Sequence, residues 1–207
     1  MNPIIQAARR EQIIEAAINT VAEVGYPGTT LARIAEQAQT SKSVISYHFL
    51  GKDDLLEQVV LQIYADTWTF MEPRIEAEAT AAGQLGAYIT AELDYMGEQR
   101  ARLLAVAAIV ANHRTTDGSL RFTPNAERAR GAEGQGLGVL RDILTQGQRA
   151  GEFRDFDPLV LAVTVNHALD GALGRWVIEP SLDLGAYAAE LRTLFDLATR
   201  RPQEKSR

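Results

Sequence analysis

Residues 25–59 read GYPGTTLARIAEQAQTSKSVISYHFLGKDDLLEQV, and the punctuation of this stretch decides the fold. Gly25 and Pro27 end the helix that precedes them, because glycine accepts the left-handed cap and proline cannot continue a helix. Thr29 or Thr30 then caps a short helix predicted over residues 31–38, with Leu31, Ile34, Ala35 and Ala38 on one face. After the polar link Gln39-Thr40, Ser41 caps a third helix reaching Phe49, whose inward anchors are Val44, Ile45 and Phe49. Two short helices joined by so tight a link form a helix-turn-helix unit. Ala35 lets them approach where a longer side chain would prop them apart. The second helix is left with Lys42, Ser43, Ser46 and Tyr47 facing outward, as a DNA-reading face requires.

Working outward, Ile13, Ala17, Val21 and Val24 recur at helical spacing and predict a first helix over residues 6–24. Downstream, Asp53 and Asp54 suit the positive end of a fourth helix over residues 53–70, closed by Pro73. Further helices are expected near 83–96, 99–114, 124–150, 158–178 and 184–200. Gly131, Gly134, Gly136 and Gly138 predict a bend or break in the third of these, each costing up to about 1 kcal/mol in a helix interior. No alternating strands flank an Asn-Gly or Asp-Gly turn, so the fold class is all-α.

Composition narrows the function classes. A chain of 207 residues with 46% hydrophobic and 23% charged residues is that of a folded globular protein. The absence of cysteine excludes disulfides, thiolate catalysis and cysteine-bound metal, and three scattered histidines make no metal site, so no cofactor is expected. No apolar run approaches a membrane span and the opening residues do not read as a secretory leader, which predicts a cytoplasmic protein with no membrane partner. The net charge of −6 is unevenly spread: residues 1–52 hold five Lys/Arg against four Asp/Glu. A weakly basic head on an acidic body is compatible with nucleic acid, because steering depends on the local field.

Residues 9–65 closely resemble the N-terminal region of TetR-like transcriptional regulators, through Gly25, Thr29-Thr30, Ile34-Ala35, Ser41, Tyr47-His48-Phe49, Lys52 and Leu55 taken together. The segment GEFRDFDP followed by an apolar helix resembles the same family. The resemblance implies a helix-turn-helix DNA-binding domain over 1–52 and a helical effector-binding and dimerisation domain over 53–207. It implies a dimeric repressor of double-stranded operator DNA, released by a small, mostly apolar effector. By resemblance Tyr47 places its hydroxyl on a phosphate and Lys52 contributes charge at the mouth of the next helix. Thr29 or Thr30 touches phosphate from a helix start, a position that a simple cap also explains. Lys42, Ser43 and Ser46 are the candidates for base edges, and His48 either approaches phosphate or fills the gap beside Phe49. One departure stands out: Gln39 sits where these proteins commonly have glycine, at a cost of about 1 kcal/mol if the turn is left-handed.

In the body the resemblance implies a cavity, for which Trp68, Tyr88, Tyr95, Asn112, His113, Phe122, His167 and Asp170 are candidate lining groups, each also explicable as packing or surface. Asp170 has Arg175 as an alternative partner. The helices near 158–178 and 184–200 carry apolar flanks suited to a homodimer interface of four helices. The competing reading is a helical small-molecule-binding protein or enzyme using Asp94 with His113, or His167 with Asp170. No nucleophile motif, phosphate-cradling glycine pattern or paired-carboxylate metal signature accompanies those pairs, so no enzyme is expected. A membrane-surface role is equally unsupported, because the first helix is not strongly basic and its apolar face is needed by the head.

Overall fold

Helical periodicity runs through the described residues, 3–112 and 132–201 of the computed structural model, and they fold as helices joined by short links. In order these are α1 (Pro3–Gly28), α2 (Leu31–Gln37), α3 (Lys42–His48), α4 (Lys52–Glu76), α5 (Ala81–Glu98), α6 (Arg100–Asn112), α7 (Ala132–Ala150), α8 (Pro158–Ile178) and α9 (Leu184–Thr199). Among the described residues the sole β feature is an isolated bridge between Phe153 and Arg200. The all-α expectation holds.

The chain divides into two compact units. The first contains α1–α3, the start of α4 and α6. Its core joins Ile13, Ala17 and Val21 of α1 to Ile34 and Ala35 of α2, Ile45 of α3, Leu55, Leu56 and Val59 of α4, and Ala105 and Ile109 of α6. The head expected over 1–52 thus lies inside a unit that also takes the next helix start and α6. The small residues of α6 let it lie against α1, where Arg102 donates to Glu15 over 2.7 Å. Such a partner so far along the chain leaves no local trace in the sequence.

In the second unit α5 packs against α7, α8 and α9. Leu85, Ile89 and Leu93 of α5 meet a core completed by Leu140 and Leu144 of α7, Val165 and Leu169 of α8, and Leu191 and Phe195 of α9. Asp157 caps α8 by accepting from the backbone N–H groups of Leu159 and Val160, and Asp183 caps α9 by accepting from Ala186. The link 151–157 is held by Gln148, whose amide donates to the carbonyls of Arg154 and Phe156.

Three expectations change. Gly25 does break α1, with φ 70° and ψ 171°, but helical turns resume across Pro27 to Gly28. Pro73 lies inside α4 and does not close it. Proline removes one backbone donor, and the helix continues because Ala77 N–H still donates to the Pro73 carbonyl and the Arg74 side chain donates to that of Phe70. The bend expected from the glycine run is absent from α7, where Gly134, Gly136 and Gly138 sit in unbroken helix; Gly131 lies outside the described residues. Packing favours a small residue at Gly136, since a Cβ there would come within 3.1 Å of the Tyr88 hydroxyl.

Candidate nucleic-acid interface

The turn between α2 and α3 sets the angle of the outward face. Gln39 has φ 48°, the one positive φ outside glycine among the described residues, so the turn does demand left-handed geometry where glycine is commonly found. Backbone bonds fix it: Thr40 N–H donates to the Ala35 carbonyl at 2.8 Å, and the Gln12 amide of α1 reaches the Ala38 carbonyl at 3.0 Å. The Ser41 hydroxyl caps α3 by accepting from Val44 N–H, and it shares a 2.7 Å hydrogen bond with Ser43. Within α3, Ile45 is fully buried and Val44 partly so, while Lys42, Ser43, Ser46 and Tyr47 are exposed. Two i, i+4 pairs, Lys42 with Ser46 and Ser43 with Tyr47, therefore occupy the solvent face of a helix anchored on its other side.

The remaining expected contacts divide. Thr30 is exposed and caps α2, accepting from Arg33 N–H. Thr29 is buried, and its hydroxyl donates to the Gly25 carbonyl at 2.7 Å, so the side chain serves the break in α1. His48 is partly buried, its ring centroid 5.0 Å from Tyr47 edge-on and 6.4 Å from Phe49. Lys52 donates to the Tyr26 carbonyl at 3.2 Å and lies over the Tyr26 ring; burial lowers its pKa, against the opposing pull of Asp53. Its charge is partly engaged within the head. Two features escaped the sequence reading. Leu50, next to α3, is 99% exposed, and Gln6 of α1 donates to the Tyr47 hydroxyl at 3.1 Å. Sequence offers no signal for a hydrogen bond spanning 41 residues.

The profile of the family described as bacterial regulatory proteins, tetR family, matches residues 13–59, the stretch that builds this head. Over these residues the chain is similar to that family. The regulator BetI of Burkholderia ambifaria is 36% identical over 87 residues, 42% of this chain and 45% of that protein. The match thus spans somewhat under half the length of this curated relative. At the level of fold the likeness is wider. The regulator FadR of Bacillus subtilis, solved with stearoyl-CoA, superposes with a TM-score of 0.72 at 25% identity, covering 89% of this chain and 96% of that one. The fatty acid degradation regulator FadR of Bacillus halodurans gives a TM-score of 0.76 at 18% identity over 94% and 95%.

In the second unit, one stripe of α5 carries Tyr88, Glu92 and Tyr95 at i, i+4 and i+7. The Tyr88 hydroxyl donates to Asn166 of α8 over 3.4 Å, and Tyr95 stacks at a tilt on Phe70, centroids 5.4 Å apart. Glu92 was not anticipated. Burial, with a smaller contribution from Asp170, pushes its carboxyl up from the ordinary 4.5 to about 8. Burial raises Tyr88 as well, helped by the charges of Glu92 and Asp170. Trp68 is half-buried, with its indole N–H enclosed and lacking an acceptor among the described residues. His167 and Asp170 are exposed, and Arg175 pairs with Glu179 at 2.5 Å instead of with Asp170. Asn112 belongs to the first unit, is exposed, and donates to the Ala108 carbonyl. His113 and Phe122 lie outside the described residues. A groove of about 440 Å³ opens between α5 and α9, lined by Leu85, Ile89, Arg192, Thr193, Asp196 and Leu197 among others; none of the six described candidates borders it.

Proposed function

We propose that this chain is a homodimeric repressor that binds operator DNA through α3 and is released by a small, mostly apolar molecule held in the second unit. The observation that carries the DNA reading is the outward set Lys42, Ser43, Ser46 and Tyr47 on a capped helix whose other side is buried. In this reading Tyr47 and Thr30 contact phosphate, while Lys42, Ser43 and Ser46 meet base edges, lysine donating to guanine and serine donating or accepting. His48 and Lys52 support that face, and Thr29 supports the helix start behind it. The functional division follows residues 1–52 and 53–207. The likeness of residues 13–59 to the tetR family supports a regulator over an enzyme.

Apolar side chains left at the surface of the second unit support a second copy as partner. Leu159 and Val160 of α8 and Leu194 and Leu197 of α9 are each at least half exposed. Two such faces brought together by a twofold axis remove them from water. An apolar effector is supported by the stripe of Tyr88 and Tyr95 with Trp68, and by the stearoyl-CoA bound in the related FadR. Glu92, Asn166 and Asp170 add polar anchors beside them. The test is selection of bound sequences from a random duplex pool, with footprinting and sedimentation of the same protein. A dimer protecting two related half-sites about 34–36 Å apart, or a multiple of that, is expected. A monomer that protects no duplex would sink the reading.

A further inference from the structure

The Tyr47 hydroxyl is held from inside the head. Gln6, in the first turns of α1, donates its Nε2 hydrogen to the phenol oxygen over 3.1 Å. His48 stands edge-on against the Tyr47 ring at an interplanar angle of 88°. A cavity of about 360 Å³ lies between the start of α1 and α3, lined by Ile5, Gln6, Arg9, Val44 and Tyr47 among others. The start of α1 is fastened to the head by more than this one bond. Arg10 lies over the Phe49 ring at 4.7 Å and donates to Gln58 of α4, and Gln12 reaches the carbonyl that ends α2. Arg9 is steadied in turn by Gln12 at 2.8 Å. Residues 1–10 carry two arginines and no acid, so nothing in this segment repels a phosphate.

A phenol oxygen has one proton to donate and two lone pairs. With an amide N–H on a lone pair, the phenol proton is left for a partner outside the head, and a hydroxyl that accepts becomes a stronger donor because linked hydrogen bonds polarise one another. Tyr47 is 64% exposed, so that partner is water in the free protein. We propose that Gln6 is a positioning residue for DNA binding, which holds the Tyr47 oxygen and leaves its proton directed at a backbone phosphate. This rests on the reading of the chain as an operator-binding protein. It makes the beginning of α1 part of recognition although Gln6 acts through α3.

The experiment is a double-mutant cycle on the full chain, with a duplex recovered by wild-type selection from a random pool and affinity measured at fixed salt. Gln6→Ala should weaken binding about 2–10-fold, the size of one hydrogen bond. In a Tyr47→Phe background, where no hydroxyl remains to position, the same change should have no further effect. Gln6→Glu should weaken binding more than Gln6→Ala, since a carboxylate captures the phenol proton and faces the phosphate with like charge. The salt dependence of Gln6→Ala should match wild type, because no charge has been removed. A loss of equal size in both backgrounds, whether through direct contact or through the fold of the head, overturns the proposal, as does no loss in either. Failure to recover any duplex overturns the operator-binding reading and the proposal with it, whereas a bound duplex with additive losses overturns the role of Gln6 alone.

Discussion

Glu92 couples the second unit to pH. Its carboxyl stays protonated in the native protein to about pH 8, while the unfolded chain releases that proton near 4.5. Between those values the folded state holds more protons, so this contribution to stability is complete below the lower value and is lost as pH rises through the upper one. Asp170 also disfavours its charge, while Glu92 and Asp170 together hold the Tyr88 hydroxyl protonated. Denaturant titrations between pH 5 and 8.5 should show wild type losing stability relative to Glu92→Gln, by no more than about 1.4 kcal/mol per pH unit. Parallel curves for the two proteins would place the carboxyl in contact with water. Gln39 gives a second measurement at this scale, in the opposite unit. A left-handed residue with a Cβ costs about 1–2 kcal/mol, and glycine in its place loses somewhat more chain entropy on folding. Gln39→Gly should therefore raise stability by up to about 1 kcal/mol, read as a higher denaturation midpoint with an unchanged slope. A lower midpoint would mean that the turn does not carry the positive φ of 48°.

At the scale of elements, α3 separates positioning from reading. Tyr47→Phe should weaken every duplex by a similar factor, because phosphate contacts carry no sequence information, while Ser43→Ala or Ser46→Ala should reorder preferences among half-sites. Competition binding against a panel of single-base variants distinguishes the two. A change of base preference confined to Tyr47→Phe would reverse the assignment. The same element shows why parts of the fold were legible. Ser41 and Thr30 cap helices through bonds that reach three residues, so their sequence neighbourhood contains the whole cause. Gln39 was suspect for an equally local reason. Pro73 and the glycines of α7 were misjudged because local cost was weighed without the packing that offsets it. A Cβ on Gly147 would come within 2.3 Å of two Phe153 ring atoms, a requirement invisible until the link after α7 is folded back. The outward side of α3 was readable from spacing, while the hold of Gln6 on Tyr47 and the burial of Glu92 depend on helices distant in sequence.

For the whole molecule, the proposed repressor requires an equilibrium between a state that fits the operator and one that does not. A ligand shifts that equilibrium only by its difference in affinity for the two states, and equal affinity leaves DNA binding untouched. Coupling of about 1–3 kcal/mol would change operator affinity about 5–150-fold. The recovered duplex should be titrated at fixed salt with and without long-chain acyl compounds, since phosphate contacts make affinity strongly dependent on ionic strength and a salt change would imitate release. Trp68→Ala removes an enclosed indole whose N–H lacks an acceptor in the described protein, and Tyr88→Phe removes the hydroxyl that meets Asn166. If these side chains line the effector site, each variant should bind the duplex as wild type does in the absence of ligand while responding less to the compound that releases wild type. Loss of binding in the ligand-free state would instead assign them to the fold of the unit. A compound that saturates the protein yet leaves operator affinity unchanged would show that its site is uncoupled from the heads, and the same result across a broad apolar panel would leave dimerisation as the work of the second unit.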